Sequence, residues 1–224
     1  MKKKLLNKKA VDAAADKIIQ TLQSPKVQKR LLAFGIAKKI AFAAFFAFSL
    51  ASAPAEAAEY SVDAKASKVA FSGTHADTSF SGNFEEWTAV LNFDAGDLEN
   101  SKFIATFNTA SAKTGNAMYD GTLPQADWFD VKNHPQATFT TTAITAKPDG
   151  SGYSATGDLT IRGVTKPVQF DFTLSDLAQS PVTAQAAFTI NRLDFDIGKK
   201  SDASAEWVSR DITITIDITA TPKN

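Results

Sequence analysis

From Tyr60 to the end of the chain, apolar residues recur at every second position, and that period restricts the fold more than any other feature. Trp87, Ala89, Leu91 and Phe93 share one parity, with Thr88 and Asn92 between them. Phe103, Ala105 and Phe107 repeat it, as do Phe139 among its threonines and Leu159 with Ile161. Val168, Phe170, Phe172 and Leu174 follow, then Val182, Ala184, Ala186, Phe188 and Ile190. Ile212, Ile214, Ile216 and Ile218 close the chain against Thr213, Thr215, Asp217 and Thr219. Such alternation sets one face in a core and the other in water, which is the mark of antiparallel strands. About eight strands are expected, with no helix long enough to cover a sheet.

The connections agree. Asp149-Gly150 predicts a hairpin between the threonine-rich strand and Tyr153–Ile161. Asp94 to Asp97 separates two more strands. Gly163 to Pro167 reads as a short turn, with the proline opening the next strand, where its missing N–H is tolerated. Residues 114–135 lack alternation and are expected to hold one or two short helical turns, with Pro124 in a first turn. A strand set of this kind closes as a barrel or packs as a sandwich. Its inner face mixes Phe and Ile with Ala89, Ala105, Ala184 and Ala186. These alanines either fill gaps between rings in a solid core or leave room for one elongated ligand.

Composition removes several chemistries. The 224 residues include no cysteine, so there is no disulfide framework, thiolate nucleophile or zinc finger. Two histidines, His75 and His134, cannot make a three-histidine metal site, and no metal or cofactor is expected. Asp194, Asp196, Asp202 and Glu206 cluster around Gly198, but their spacing matches no EF-hand loop and reads as a solvated hairpin. No G-x-S-x-G elbow, P-loop or dinucleotide fingerprint occurs, so no catalytic residue is expected.

Charge divides the chain in two. Residues 1–57 carry 11 basic and 3 acidic side chains, and residues 58–224 carry 13 and 21. An acidic body repels phosphate backbones, so no nucleic-acid partner is expected. The run from Ile40 to Ser52 is apolar, follows Lys38-Lys39 and precedes Ala55-Glu56-Ala57. A positive flank, a short apolar core and a small-x-small site make a secretory signal peptide, with cleavage expected before Ala58 and export to the periplasm. The alternative is a retained anchor, although the run is shorter than the ~20 residues that cross a bilayer. The lysine-rich stretch from Val11 to Leu32 fits a surface amphipathic helix, an over-long start or an extended leader. Two parts are therefore expected: an extension plus signal peptide over 1–57, and one domain over 58–224.

A series of motifs then becomes recognisable. It comprises the opening YSVDAKASKVAFSGTH from Tyr60, Gly82-Asn83-Phe84, the strand end Leu91-Asn92-Phe93-Asp94, and Asp127-Trp128-Phe129-Asp130-Val131. His134-Pro135-Gln136-Ala137-Thr138-Phe139 and the run from Gly157 to Val168 (GDLTIRGVTKPV) complete it. In this order, from about Tyr60 to Ala220, the chain resembles the YceI-like polyisoprenoid-binding family of secreted bacterial proteins. The resemblance implies an all-β fold, an antiparallel eight-stranded lipocalin-like β-barrel with one or two short helices near the barrel mouth. It also implies an isoprenoid lipid ligand, a polyprenyl compound or isoprenoid quinone, held in the apolar lumen. Burying about 400 Å² of tail at about 25 cal/mol per Å² gains about 10 kcal/mol gross, part of which is lost to association and ordering. The sequence departs from the family pattern at Tyr119-Asp120-Gly121-Thr122-Leu123, where many members carry an arginine before the aspartate and a histidine before the leucine. That leaves the tail reading intact and points to a different head group.

The expected ligand-binding residues follow from both lines of argument. Phe71, Phe103, Phe107, Phe139, Phe170, Phe172 and Phe188 face inward on strands. Met118, Trp128 and Phe129, in the irregular segment, would form a lid or wall at the mouth, or else a plug. His75 matches the family's early histidine, and is either a hydrogen-bonding group at the mouth or a satisfied turn residue. The expected protein is a monomer or homodimer that touches the membrane surface transiently. A filled barrel serving as an envelope stress or structural protein with a protein-binding surface is the alternative, and a hydrolase or isomerase working through His75 is a further one.

Overall fold

A computed structural model describes residues 58–223; the leader, the apolar run and the stretch from Val11 to Leu32 lie outside them. Among the described residues there are eleven strands and one short α-helix. The strands are β1 (Ala58–Val62), β2 (Lys68–His75), β3 (Thr78–Phe84), β4 (Trp87–Phe93), β5 (Lys102–Asn108) and β6 (Ala112–Lys113). After the helix α1 (Ala117–Thr122) come β7 (Gln136–Ala146), β8 (Tyr153–Ile161), β9 (Val164–Leu174), β10 (Val182–Asn191) and β11 (Asp211–Pro222).

All pairings are antiparallel, and they close into an eight-stranded lipocalin-like barrel. β11 pairs with β1 through Val62↔Ala220 and with β2 through Lys68↔Asp217, so β1 and β2 are two halves of one interrupted strand. β3 pairs with β2 and β4 with β1, so these two likewise make one strand kinked at Glu85-Glu86. The ring then runs β4–β5–β7–β8–β9–β10–β11 and returns to β1. Full closure removes the exposed edges that an open sheet of this composition would offer to other chains.

Local departures follow from particular side chains. β9 and β10 pair only from Phe172 to Leu174 against Ala184 to Ala186, which leaves the first part of β9 without a β10 partner. Pro167 lies inside β9 in that part, opposite Asp158. The turn is therefore Arg162-Gly163 (φ 52° and 74°), shorter than the five residues expected, and the proline is tolerated because it sits along an unpaired stretch. Gly157 faces the Phe139 ring: a Cβ there would lie 2.6 Å from it, so a side chain would push the ring out of the lumen. Pro124 follows α1 rather than opening it; the helix starts at Asn116, whose side chain accepts from the Met118 and Tyr119 amides. A bulge in β7 between Thr141 and Ala143 switches the inward parity from Phe139 to Ile144. There the Thr141 hydroxyl takes the place of a ladder partner, accepting from the Phe103 amide at 2.9 Å.

Candidate functional site

The interior of the barrel is hollow. Two apolar voids lie along it, of about 130 and 150 Å³, and no polar atom faces either space. The distal one is bounded by Trp87, Leu91, Phe93, Phe103, Phe172, Leu174, Leu177 and Val182, with Ala89, Ala105, Ala184 and Ala186 among its walls. Ala89 stands directly opposite Ala105 in the β4–β5 ladder, so register gathers the small residues on one side. The second is walled by Phe71, Phe84, Phe129, Phe188, Ile190, Ile197, Ile212 and Ile214. Both are lined by Val69, Ala105, Phe107, Phe139, Phe170 and Ile216, which form a waist between them. Phe170 stacks on Phe188 at 4.6 Å and tilts against Phe139 at 5.4 Å, so the waist is made of rings.

A third void of about 170 Å³ forms the mouth, and it shares Phe71, Phe80, Leu123, Trp128 and Val208 with the middle chamber. Its remaining lining residues are His75, Thr114, Met118, Tyr119 and Thr122. His75 Nδ1 lies 3.1 Å from the Tyr119 hydroxyl, and the two rings meet edge to face. Polarity is thus confined to one end of a path that is otherwise apolar, which is how pockets for amphiphilic molecules are commonly built.

All eleven residues expected at a ligand site line these voids. Phe103 and Phe172 border the distal chamber, while Phe107, Phe139 and Phe170 form part of the waist. Phe129 and Phe188 border the middle chamber, Phe71 and Trp128 the middle chamber and the mouth, and His75 and Met118 the mouth alone. Met118 is 60% exposed and stands on the rim. Tyr119 was missed, because its importance depends on the contact with His75 across forty-four positions of sequence.

Arg192 was missed as well. It borders the middle chamber while only 1% exposed. Its Nη2 meets Asp202 Oδ2 at 2.6 Å, and its other donors reach the carbonyls of Ser209, Ile197 and Val208. Its guanidinium lies 5.8 Å from the Trp128 ring centre. Asp202 is therefore buried, not part of a solvated hairpin, because it answers this arginine. Burial pushes its carboxyl up, but the amides of Val208, Trp207 and Glu206 and the guanidinium hold it below the ordinary value. Burial pulls Arg192 down from its usual value, against the opposing pull of Asp202, and an arginine stays charged regardless. Among the described residues, no three histidine, aspartate or glutamate side chains converge as a metal site would need.

A profile of the YceI-like domain matches residues 60–220. The chain belongs to the YceI-like family. A relative in Ectopseudomonas mendocina, a UPF0312 protein, is 33% identical over 71% of this chain and 87% of its own length. A UPF0312 protein of Pectobacterium carotovorum is 39% identical over 52% of this chain, and the match spans 62% of that protein's length. Among solved structures, Burkholderia cenocepacia BcnA superposes with a TM-score of 0.68 at 30% identity, covering 72% of this chain and all of its own. A polyisoprenoid binding domain from Saccharophagus degradans shares the fold, with a TM-score of 0.57 at 14% identity over 73% of this chain and 98% of its own.

In this YceI-like chain the recognisable motifs are mostly fasteners for the mouth. Asp127 Oδ2 accepts from the Ser201 hydroxyl and amide, and Oδ1 accepts from the Lys200 amide. Burial raises the Asp127 carboxyl, but these donors and Arg162 bring it below its ordinary value. Arg162 donates to the carbonyls of Ala126, Asp127 and Asp196. These bonds tie the segment carrying Trp128 and Phe129 to the β8–β9 turn and to the loop after β10. His134 lines none of the three voids; it packs beside Gly163, where a Cβ would come within 3.0 Å of its ring.

Proposed function

We propose that this protein binds a long-chain isoprenoid lipid, with the tail in the two apolar chambers and the head at the His75–Tyr119 end, and that it carries or sequesters the lipid without making or breaking bonds. The hollow apolar path opening on one polar mouth carries this reading. The Saccharophagus degradans domain, named for polyisoprenoid binding, supports it from the side of the fold. A solid interior, as a purely structural barrel would have, is not what the chambers describe.

Export to the periplasm is part of the proposal. Intact-mass measurement of the protein from its host is expected to find a mature N-terminus near Ala58, and a retained Met1 would overturn it. Loading from a membrane surface fits the rim: Met118 and Trp207 are each 60% exposed, and Trp207 adjoins Val208 in the mouth lining. The deciding experiment is native mass spectrometry and lipid extraction of protein purified from its own host. A co-purified polyprenyl compound is the expected result, and repeated recovery of lipid-free protein with empty chambers would count against a carrier.

A further inference from the structure

The mouth is a place for one polar ring or hydroxyl, and its charge is the informative property. The side chains that line it include His75, Thr114, Tyr119 and Thr122 but no lysine or arginine. Behind Thr114 lies Asp120, whose carboxylate accepts from the Thr114 amide and hydroxyl, each at 2.7 Å. Those two donors hold the Asp120 carboxyl below its ordinary value, so it is ionised at neutral pH. Lys113 also acts on Asp120 but is not among the residues lining the mouth.

Deeper in the lumen the cation that borders the path is Arg192, and it is already answered. Asp202 neutralises it at 2.6 Å, and carbonyl groups take its other donors. A phosphate or diphosphate entering here would lose its water without gaining a cation, and such groups are normally met by arginine or lysine. A neutral oxygen, by contrast, finds an imidazole and a phenol already 3.1 Å apart, each able to donate or accept. The mouth volume of about 170 Å³ compares with the roughly 150 Å³ cavity that admits benzene.

We propose that the mouth selects isoprenoids with an uncharged, hydrogen-bonding head, an alcohol, phenol or benzoquinone, and rejects polyprenyl phosphates. This rests on the isoprenoid reading above and sharpens it. The test compares three probes that share a four-isoprene tail: geranylgeraniol, the matching ubiquinone, and geranylgeranyl diphosphate. Binding to the mature protein at physiological salt would be followed by intrinsic tryptophan fluorescence. The alcohol and the quinone are expected to bind at least about tenfold tighter than the diphosphate, one unit on the logarithmic affinity scale.

Tyr119→Arg is expected to shrink that ratio by raising diphosphate affinity. Thr122→Lys, on the same helix, does the same should the first variant fail to fold by circular dichroism. A wild-type ratio below tenfold, or a ratio that neither folded variant reduces, overturns the head-group inference while leaving the tail reading standing. Failure of all three probes to bind overturns the isoprenoid reading itself.

Discussion

Arg192→Ala is expected to destabilise the barrel by about 3–5 kcal/mol, the range found when one partner of a buried ion pair is removed. For a domain of this size, that is a fall in Tm of about 6–20 °C. The substitution leaves the Asp202 carboxylate buried without its cation and strips the donor from the carbonyls of Ser209, Ile197 and Val208. It also removes the cation beside Trp128, so the fluorescence of the mouth segment should change in the folded variant. Lys199→Ala is the control: Lys199 pairs with Asp196 in the same loop, but both side chains are about half exposed, at 58% and 49%. That change should fall within about 0.5 kcal/mol. Thermal unfolding followed by circular dichroism measures both, and equal effects would show that the buried pair does not hold the loop.

The same pair fixes a direction for pH. The folded-state pKa of Asp202 lies below its ordinary value of 3.8, so its contribution is complete well above that value. It is lost as pH falls below 3.8 and through the folded-state pKa, because the unfolded chain takes up the proton first. Asp127 acts in the same sense. Acid should therefore loosen the 196–209 loop and its contact with Trp128.

What the sequence made legible was whatever depends on local period. Alternation through β4, β5, β9, β10 and β11 identified the inward rings, and each ring named from it borders a chamber. The four alanines were visible as small residues, but the register that sets Ala89 opposite Ala105 was not, so period alone left a solid core and a hollow equally open. The parity switch in β7 was hidden too, because it depends on the Thr141 hydroxyl replacing a backbone partner on β5. Pro167 deceived because a proline usually marks a strand start, whereas here the neighbouring strand diverges and leaves its position unpaired. Asp202 deceived because a carboxylate among other carboxylates reads as solvated until the arginine ten residues earlier is seen to fold over it.

Ala105→Phe is expected to separate the two chambers without unfolding the barrel. Ala105 lies at the waist and borders both voids. Adding bulk to a tightly packed core usually costs about 1–3 kcal/mol. Here voids of about 130 and 150 Å³ lie beside the new ring, and a cavity near 150 Å³ admits benzene. The cost should therefore stay below about 1 kcal/mol, and Tm should barely move. Ligand binding should change far more. Each buried CH₂ is worth about 0.8 kcal/mol, so one isoprene unit contributes up to about 4 kcal/mol gross. Wild-type affinity should therefore climb from a two-unit to a four-unit to an eight-unit polyprenol as the tail passes the waist. In the variant the climb should stop once the middle chamber is full, and the eight-unit polyprenol should bind about a hundredfold more weakly than to the wild type, a loss of about 2.7 kcal/mol. The two-unit polyprenol, which ends before the waist, should bind both proteins alike. An eight-unit polyprenol held equally well by both would mean that the tail never passes the Phe139, Phe170 and Phe188 rings, and the distal chamber would then have no part in binding.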